Sequence, residues 1–204
     1  MAEPATALLA LWNDVDPALD AQYNEWHAQE HVPERLTVPG ILWGRRYRRS
    51  SADAAPLYLT LYGLRDAEVL DSAAYQRLLQ APTPMSRTMR PALRNVSRWV
   101  CALHEQPALD GGSDLAIWTL ADDAEPARAD DDALVGACRG PDRLLAERLP
   151  QARPLPWLQA GQSQGIEGRW LVGLPFAAST PAVAPIGSLG AYARLPSTGR
   201  RPPY

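Results

Sequence analysis

The sequence predicts an α+β fold made of two tandem ferredoxin-like subdomains. The first half shows strand and helix patterns in the order β-α-β-β-α-β, which is the ferredoxin-like order. The second half opens on Leu115-Ala116-Ile117-Trp118, which echoes Leu9-Ala10-Leu11-Trp12. A Gly-rich polar segment that begins at Asp110 indicates a linker. We therefore predict one subdomain at residues 1–109 and a second, degenerate copy with a Pro- and Arg-rich tail at residues 113–204.

The elements of the first half follow from its hydrophobic pattern. An apolar run at residues 6–13 and the runs at 41–49, 57–64 and 96–104 predict four strands. One helix is predicted after the first strand and another at about residues 67–79. We expect the first helix to end near His31, because Val32 precedes Pro33 and the residue before a proline is disfavoured in the α region.

The pattern of the second half is weaker. It predicts a helix at about residues 141–149 and strands at 154–160, 168–174 and near 187–194, with the second helix reduced to the stretch 175–186. Residues 161–165 have the letters of a hydrolase nucleophile elbow, but a strand pattern follows them and no histidine comes later in the chain. We therefore interpret this segment as a hairpin turn.

Composition excludes several classes of partner and reaction. With 46% hydrophobic residues, 21% charged residues and a net charge of −3, the chain is typical of a soluble globular protein, and we expect neither nucleic acid nor a membrane as partner. The sequence shows no signal-peptide pattern and no apolar run near the roughly 20 residues of a membrane span, so we expect a cytoplasmic protein. All 20 basic residues are arginine, which excludes a Schiff-base lysine and a Walker-type phosphate lysine.

Metal ligands are sparse in the sequence. Cys101 and Cys138 match no metal-ligand spacing, and Cys101 falls in a strand pattern typical of a small buried hydrophobe. His27-x-x-Glu30-His31 has the letters of the inverted zinc-protease motif, yet catalytic zinc needs a third protein ligand. We predict no metal site, with a transition metal on the two histidines as a minority alternative.

The stretch from Tyr23 to Arg35 concentrates the residues suited to catalysis. It contains two of the three histidines, and Glu30 falls within an otherwise apolar helix face, where a carboxylate needs a partner or takes up a proton. His31 is the candidate general base, because an imidazole with a pKa of about 6.5 suits proton transfer at neutral pH, and Glu30 or Glu34 could orient it. The alternative is a structural histidine that bonds to a loop carbonyl at the helix end.

Two neighbouring strands offer a lining for a pocket. Aromatic, hydroxyl-bearing or cationic side chains alternate along them, Tyr58, Thr60 and Tyr62 on one strand and Trp43, Arg45 and Tyr47 on the other. Aromatic rings supply apolar area and phenol hydroxyls fix orientation, so this lining suits a flat, partly polar aromatic guest. Ordinary core packing or a subunit interface is the alternative.

A set of features spread over about residues 5–104 matches a known superfamily. The features are Trp26, Glu30-His31, Pro33-Glu34-Arg35, Pro39-Gly40, Arg45-Arg46-Tyr47, Leu57-Tyr58-Leu59, Ala74-Tyr75 and Pro82-Thr83-Pro84. In these the first half resembles the EthD-like proteins of the dimeric α/β-barrel superfamily, in which two ferredoxin-like sheets pack face to face, usually from two chains. The resemblance implies a pseudo-dimeric α+β barrel formed by this one chain as a monomer, or a homodimer.

The resemblance also implies a function. His31 corresponds to the helix histidine that enzymes of the superfamily often use. We expect a cofactor-independent isomerase, lyase (dehydratase) or monooxygenase that acts on a small hydrophobic carbonyl, lactone or phenolic compound. His31 would move a proton and Glu30 or Glu34 would orient it. The expected substrate contacts are Asn24, His27, Trp43, Arg45, Tyr47, Tyr58 and Tyr62.

Two alternatives of a different class stay open. One is a barrel protein that binds a hydrophobic metabolite without turnover. The other is a haem- or metal-dependent enzyme, since some barrels of the superfamily hold haem. The second half contains no histidine, so we expect one complete site in the chain.

Overall fold

Eight strands form one closed antiparallel β-barrel in the computed structural model, which describes residues 3–50, 56–107, 113–120, 143–150, 155–163, 165–176 and 190–196. The strands are β1 Ala7–Val15, β2 Ile41–Arg49, β3 Tyr58–Leu64, β4 Leu93–Glu105, β5 Asp114–Leu120, β6 Leu144–Arg148, β7 Trp170–Phe176 and β8 Gly190–Leu195. Their order around the barrel is β1-β3-β2-β8-β5-β7-β6-β4. Two pairings, β2 with β8 and β4 with β6, join the halves of the chain.

The predicted fold class is wrong. The chain does not form two tandem ferredoxin-like subdomains that assemble into a pseudo-dimeric α+β barrel, because all eight strands share one closed sheet. The helices of the described residues are short and all precede β4, so the described part of the second half has no helical layer of its own. The division at residues 1–109 and 113–204 stays a prediction.

The first-half strands and those predicted at 168–174 and 187–194 are confirmed, but two other predictions for the second half are wrong. The segment predicted as a helix at residues 141–149 contains β6, which lies between β4 and β7. Leu144 and Ala146 belong to the barrel core, so strand pairing and burial override the helix propensity of this Leu-, Ala-, Glu- and Arg-rich sequence. Residues 155–160, predicted as a strand, contain turns and no strand.

Short helices cover one face of the first-half sheet. The α-helices are α1 Asp20–Trp26, α2 Val32–Leu36, α3 Ala73–Gln80 and α4 Pro84–Met89, with 3-10 turns at Pro17–Leu19, Ala67–Asp71 and Arg90–Ala92. Ser72 and Thr83 cap α3 and α4, since their hydroxyls accept hydrogen bonds from the third backbone N–H after them. Among the helices described, none is both long and apolar enough to cross a membrane.

The first helix was predicted to end near His31, but helical structure continues to Leu36. A π turn, His27–His31, joins α1 to α2, and Val32 keeps helical dihedrals with φ −68° and ψ −47°. The N–H of Val32 donates to the carbonyl of His27, five residues earlier. The wider turn accommodates Pro33, whose ring would collide with the carbonyl four residues earlier in a straight α-helix.

Side chains fill the barrel interior. Trp12 and Trp99 meet edge to face there, with ring centroids 5.7 Å apart. Cys101 is buried in the same cluster, which confirms its prediction, and burial raises the pKa of its thiol to about 12. Cys138 lies outside the described residues. The opposite face of the first-half strands carries a second core under the helices, to which Tyr58 and Tyr62 belong.

Gly63 gives a test of the close packing inside the barrel. A Cβ at this position would lie 2.1 Å from the Trp43 ring, so Gly63→Ala is expected to displace that ring and to lower the free energy of unfolding by about 1–3 kcal/mol. Urea unfolding measures the loss. Gly165→Ala is the control, because a Cβ there meets nothing within 4 Å. Equal stability of the two variants would contradict the packing described.

Candidate functional site

A cavity of about 50 Å³ lies between the first-half sheet and its helices. A water molecule needs about 10–15 Å³ of such space, so the cavity holds several waters or one small organic group. Its lining combines apolar, aromatic and basic side chains: Leu11, Trp12, Asn13, Tyr23, Trp26, His27, His31, Arg35, Tyr75, Leu79, Arg90, Leu93, Val96, Leu155 and Trp157.

Tyr23, His27 and His31 form a stripe along the helix that borders the cavity. The ring centroids of Tyr23 and His27 are 5.1 Å apart, those of His27 and His31 are 4.8 Å apart, and Trp26 packs on His31 at 4.5 Å. No hydrogen bond joins either imidazole to another described residue, and Nδ1 of each is buried. Buried polar atoms normally have partners, so two unpartnered imidazoles on one cavity indicate a functional site.

Both histidines are neutral at physiological pH. Burial lowers the pKa of His27 well below its usual value, and the positive charges of Arg46 and Arg35 lower it further. Burial also lowers the pKa of His31, followed by the charge of Arg35, by the competing protonation of the adjacent His27 ring, and by the charges of Arg90 and Arg46. The charged groups that act on these rings are thus all cationic.

Three buried arginines produce this positive field. Arg35, Arg46 and Arg90 are 4%, 3% and 6% exposed. Nη1 of Arg35 pairs with a Glu34 oxygen at 2.7 Å. Arg90 donates to two carbonyls at the end of α3, and Nη2 of Arg46 donates to the amide oxygen of Asn24 at 2.8 Å. Within the described residues, Arg46 and Arg90 have no carboxylate at ion-pair distance.

The two carboxylates predicted to orient His31 have other partners. Oε1 of Glu30 accepts hydrogen bonds from Nε1 of Trp26 at 3.1 Å and from Oγ1 of Thr83 at 2.5 Å, so it ties the helix to the start of α4. Glu34 pairs with Arg35. Neither hydrogen-bonds His31, and the orienting roles of Glu30 and Glu34 stay predictions that these contacts do not support.

Asn24 and Tyr58 belong to a hydrogen-bond network under the same helix. Oη of Tyr58 donates to Asp20 at 2.5 Å, and Nδ2 of Asn24 donates to Oη of Tyr58 at 2.7 Å. Arg46 completes the network through the amide oxygen of Asn24. Burial and the Asp20 hydrogen bond raise the pKa of Tyr58 to about 12. The phenol therefore stays protonated and holds α1 against the sheet.

Trp43, Arg45 and Tyr47 lie on the other face of the sheet. The Arg45 guanidinium is 4.6 Å from the Trp43 ring, and Tyr47 is buried in the barrel interior. Tyr62 lies on the helix-covered face, its buried hydroxyl has no partner among the described residues, and burial raises its pKa. The structure therefore brings His27 and His31 together at the cavity, places Asn24, Tyr58 and Tyr62 on the same side of the sheet, and separates Trp43, Arg45 and Tyr47 from them.

The second half contributes to the cavity through residues 155–163. Leu155 and Trp157 line it, and the Trp157 ring lies 5.4 Å from the Arg90 guanidinium. Gln162 anchors this loop, because its Nε2 donates to the carbonyls of residues 90, 91 and 93 at 3.1, 3.2 and 2.9 Å. Gln162, from the segment interpreted above as a hairpin turn, thus attaches this part of the second half to the site.

The donor set does not fit a metal or a haem. In the part of the chain that the structure describes, no three side chains of the His, Cys, Asp or Glu type are grouped as ligands. His27 and His31 stand among arginines, which disfavours a cation beside them. A cavity of about 50 Å³ is also far smaller than a haem.

Comparison with known proteins identifies a fold and no family. No protein-family model matches the sequence, and no curated protein matches it. The crystal structure of an anthrone oxidase-like protein is similar, with a TM-score of 0.50 and 12% sequence identity over 83% of this chain and 71% of that chain. The similarity is one of fold. Membership of the EthD-like group is not confirmed.

The site contains residues that the sequence predictions leave out. Tyr23 had a signal, because it precedes His27 and His31 at a spacing of four. No sequence signal pointed to Arg90, because it belongs to no motif and lies in the short turn between α4 and β4. Trp157 could not be placed at the site without knowledge of where its loop docks.

The lowered histidine pKa values predict a stability that falls in acid. Below about pH 6.5 the unfolded histidines bind protons while His27 and His31 stay neutral in the fold, so the unfolded state takes up more protons and is favoured. Each contributes up to about 1.4 kcal/mol of lost unfolding free energy per pH unit. Urea unfolding between neutral pH and about pH 5 measures the slope.

Histidine variants test whether His27 and His31 cause this pH dependence of the unfolding free energy. His27→Gln and His31→Gln are each expected to make it shallower, whereas His104→Gln, which removes an exposed ring, is expected to leave it unchanged. An unchanged slope in both site variants would show that these histidines titrate as in the unfolded chain.

Gln162 tests the attachment of the second half to the site. Gln162→Ala removes the hydrogen bonds that Nε2 donates to the carbonyls of residues 90, 91 and 93, and we expect a loss of about 1–3 kcal/mol in unfolding free energy, measured by urea unfolding. The exposed Gln159→Ala is the control and is expected to change stability by about 0.5 kcal/mol or less. Similar losses in the two variants would argue against the anchor.

Proposed function

We propose that the chain is a cofactor-independent enzyme of isomerase or lyase type. Its substrate is a small hydrophobic carbonyl, lactone or phenolic compound, bound in the cavity beside His27 and His31. The observation that carries this proposal is the pair of neutral imidazoles on one cavity, each with a buried Nδ1 that has no hydrogen-bond partner among the described residues. A neutral imidazole is the form that accepts a proton from a substrate.

The walls of the cavity suit such a substrate. Leucine and valine side chains from β1, β4 and the second-half loop supply apolar surface, while Trp26 and Trp157 present flat rings. Arg35 and Arg90 lie on the same cavity and can stabilise an oxygen that gains negative charge. His31 is only partly buried whereas His27 is buried, so His31 is the base.

The proposed reaction is a proton transfer. His31 removes a proton from a carbon next to the substrate carbonyl, the C–H electron pair moves into an enolate, and the imidazole becomes an imidazolium. In an isomerisation, the imidazolium returns the proton to a different carbon. In a dehydration, the enolate expels a hydroxyl group, which takes the proton and leaves as water. Neither route requires an oxidant, a reductant or a metal.

A binding protein without turnover is the second candidate. One observation favours it, namely that burial, reinforced by the neighbouring arginines, holds the pKa of His31 well below its usual range. A weakly basic imidazole accepts a proton less readily from carbon. The cavity would then bind the same compounds, with the histidines as hydrogen-bond partners.

A ligand screen tests the proposal. Thermal shift with lactones, phenols and short polyketide mimics is expected to identify compounds that stabilise the native protein, and chromatography then measures their conversion. His31→Gln is expected to keep binding and to lose conversion by about 10²–10⁴-fold. His104→Gln is the control and is expected to keep both.

Each other outcome has a definite meaning. Equal conversion by His31→Gln and the native protein would contradict the catalytic role of His31. Binding without conversion by the native protein would select the second candidate. Val96→Phe, which fills the cavity from β4, is expected to abolish binding, and retained binding would place the ligand elsewhere.

A further inference from the structure

We propose that this cavity takes its ligand as a monoanion, whose acidic group is a carboxyl or an acidic phenol or enol. The inference rests on the proposed function, because it concerns the same cavity, and it specifies which of the compounds above the cavity selects. It follows from the charges that surround the cavity, because two of the three arginines have no carboxylate at ion-pair distance in the part of the chain that the structure describes.

Arg90 is the central group in this inference. Its guanidinium lines the cavity and is 6% exposed, and the only hydrogen bonds it makes within the described residues are to two main-chain carbonyls of residues 78 and 79. Its Nε is buried and has no partner there. A guanidinium carries five donors, and a buried cation is normally paired with an anion. Within the described residues, Arg90 is thus a buried cation with no carboxylate at ion-pair distance, and the charge of Glu34 acts on it only from farther away.

The other charges reinforce this field rather than cancel it. Arg35 lines the same cavity and is balanced by Glu34, whereas Arg46, close to His27, interacts with Asn24 and Tyr23 and has no carboxylate at ion-pair distance within the described residues. The Glu30 carboxylate is turned toward α4. An anionic group in the cavity would complete the charge balance of Arg90 and could accept a hydrogen bond from a neutral imidazole.

The rest of the ligand has to be apolar. Apolar side chains supply much of the remaining lining, among them Leu11, Leu93, Val96, Leu155 and Trp157. Apolar walls with a few polar groups are typical of sites that fix orientation through one end of the ligand. The ligand class is therefore a compact, flat or branched apolar body with one acidic group.

The probe is 4-nitrophenol, because its absorption spectrum distinguishes phenol from phenolate. In a buffer more acidic than its own pKa, the free compound is mainly the phenol, and we expect the native protein to bind it as the phenolate, seen as the long-wavelength band. 4-Nitroanisole, which cannot ionise, is expected to bind at least about 10-fold more weakly, since it lacks a charge-assisted hydrogen bond.

Variants assign the effect to Arg90. Arg90→Gln is expected to lose the phenolate band and to reduce affinity by about 10- to 100-fold, whereas Arg90→Lys keeps the charge and the band. Arg87→Gln removes an exposed arginine from α4 and is expected to behave as the native protein. Retention of the band in Arg90→Gln, with a folded variant confirmed by circular dichroism, would overturn the role of Arg90.

The outcomes separate this inference from the function on which it rests. Binding of 4-nitrophenol in its neutral form, or equal affinity for 4-nitroanisole, would overturn the anion proposal and leave the proposed function standing. If the native protein binds neither nitro compound and no compound of the thermal-shift screen, both the anion proposal and the proposed function are overturned.

Discussion

The filled barrel interior decides where this protein can bind a ligand. Eight strands enclose a space just wide enough for side chains, and the Trp12 and Trp99 rings occupy part of it. Space for a ligand is therefore found on the other face of the sheet, under the helices of the first half. Because successive residues of a strand point to opposite faces, β1 supplies Leu8 and Ala10 to the interior and Leu11 and Asn13 to the cavity. The same strands thus build both the core and the site.

Pro33 shapes the helix that carries the two histidines. In a regular α-helix the proline would remove a hydrogen bond and its ring would meet a carbonyl. The chain responds with a π turn, in which one wider turn satisfies Val32 N–H and the helix goes on. His27 and His31 are the first and last residues of that turn, and their rings stay 4.8 Å apart. The packing of two imidazoles against each other thus occurs in the turn that accommodates the proline.

How much of this could be read from the sequence depends on the range of the interactions. Strands β1 to β4 follow from local patterns, and the structure has them where they were expected. Local patterns also select His27 and His31 as candidates; both line the cavity, and their catalytic role stays a prediction. The closure of the barrel and the docking of Trp157 depend on contacts between distant segments, for which the sequence has no local signal. The sequence also could not show which face of a strand each side chain lies on. Leu115 points into the barrel and Trp118 points away from it, whereas in the similar first-half sequence Leu9 points away and Trp12 points in. A displacement of one residue reverses the faces of a strand.

The cationic surroundings of His31 bear on both candidate functions. Burial and the charges of Arg35, Arg90 and Arg46 make the imidazole a weak base, since protonation would add another positive charge to a buried cluster. A negative charge on the ligand offsets that field and raises the pKa of His31 again, and the effect is large where water is excluded. The basicity of His31 is then coupled to the presence of an anion in the cavity. If the ligand brings its charge from solution, the site is complete on binding. If the charge arises as the proton leaves carbon, the arginines stabilise the anion, and the anion in turn stabilises the imidazolium that forms with it.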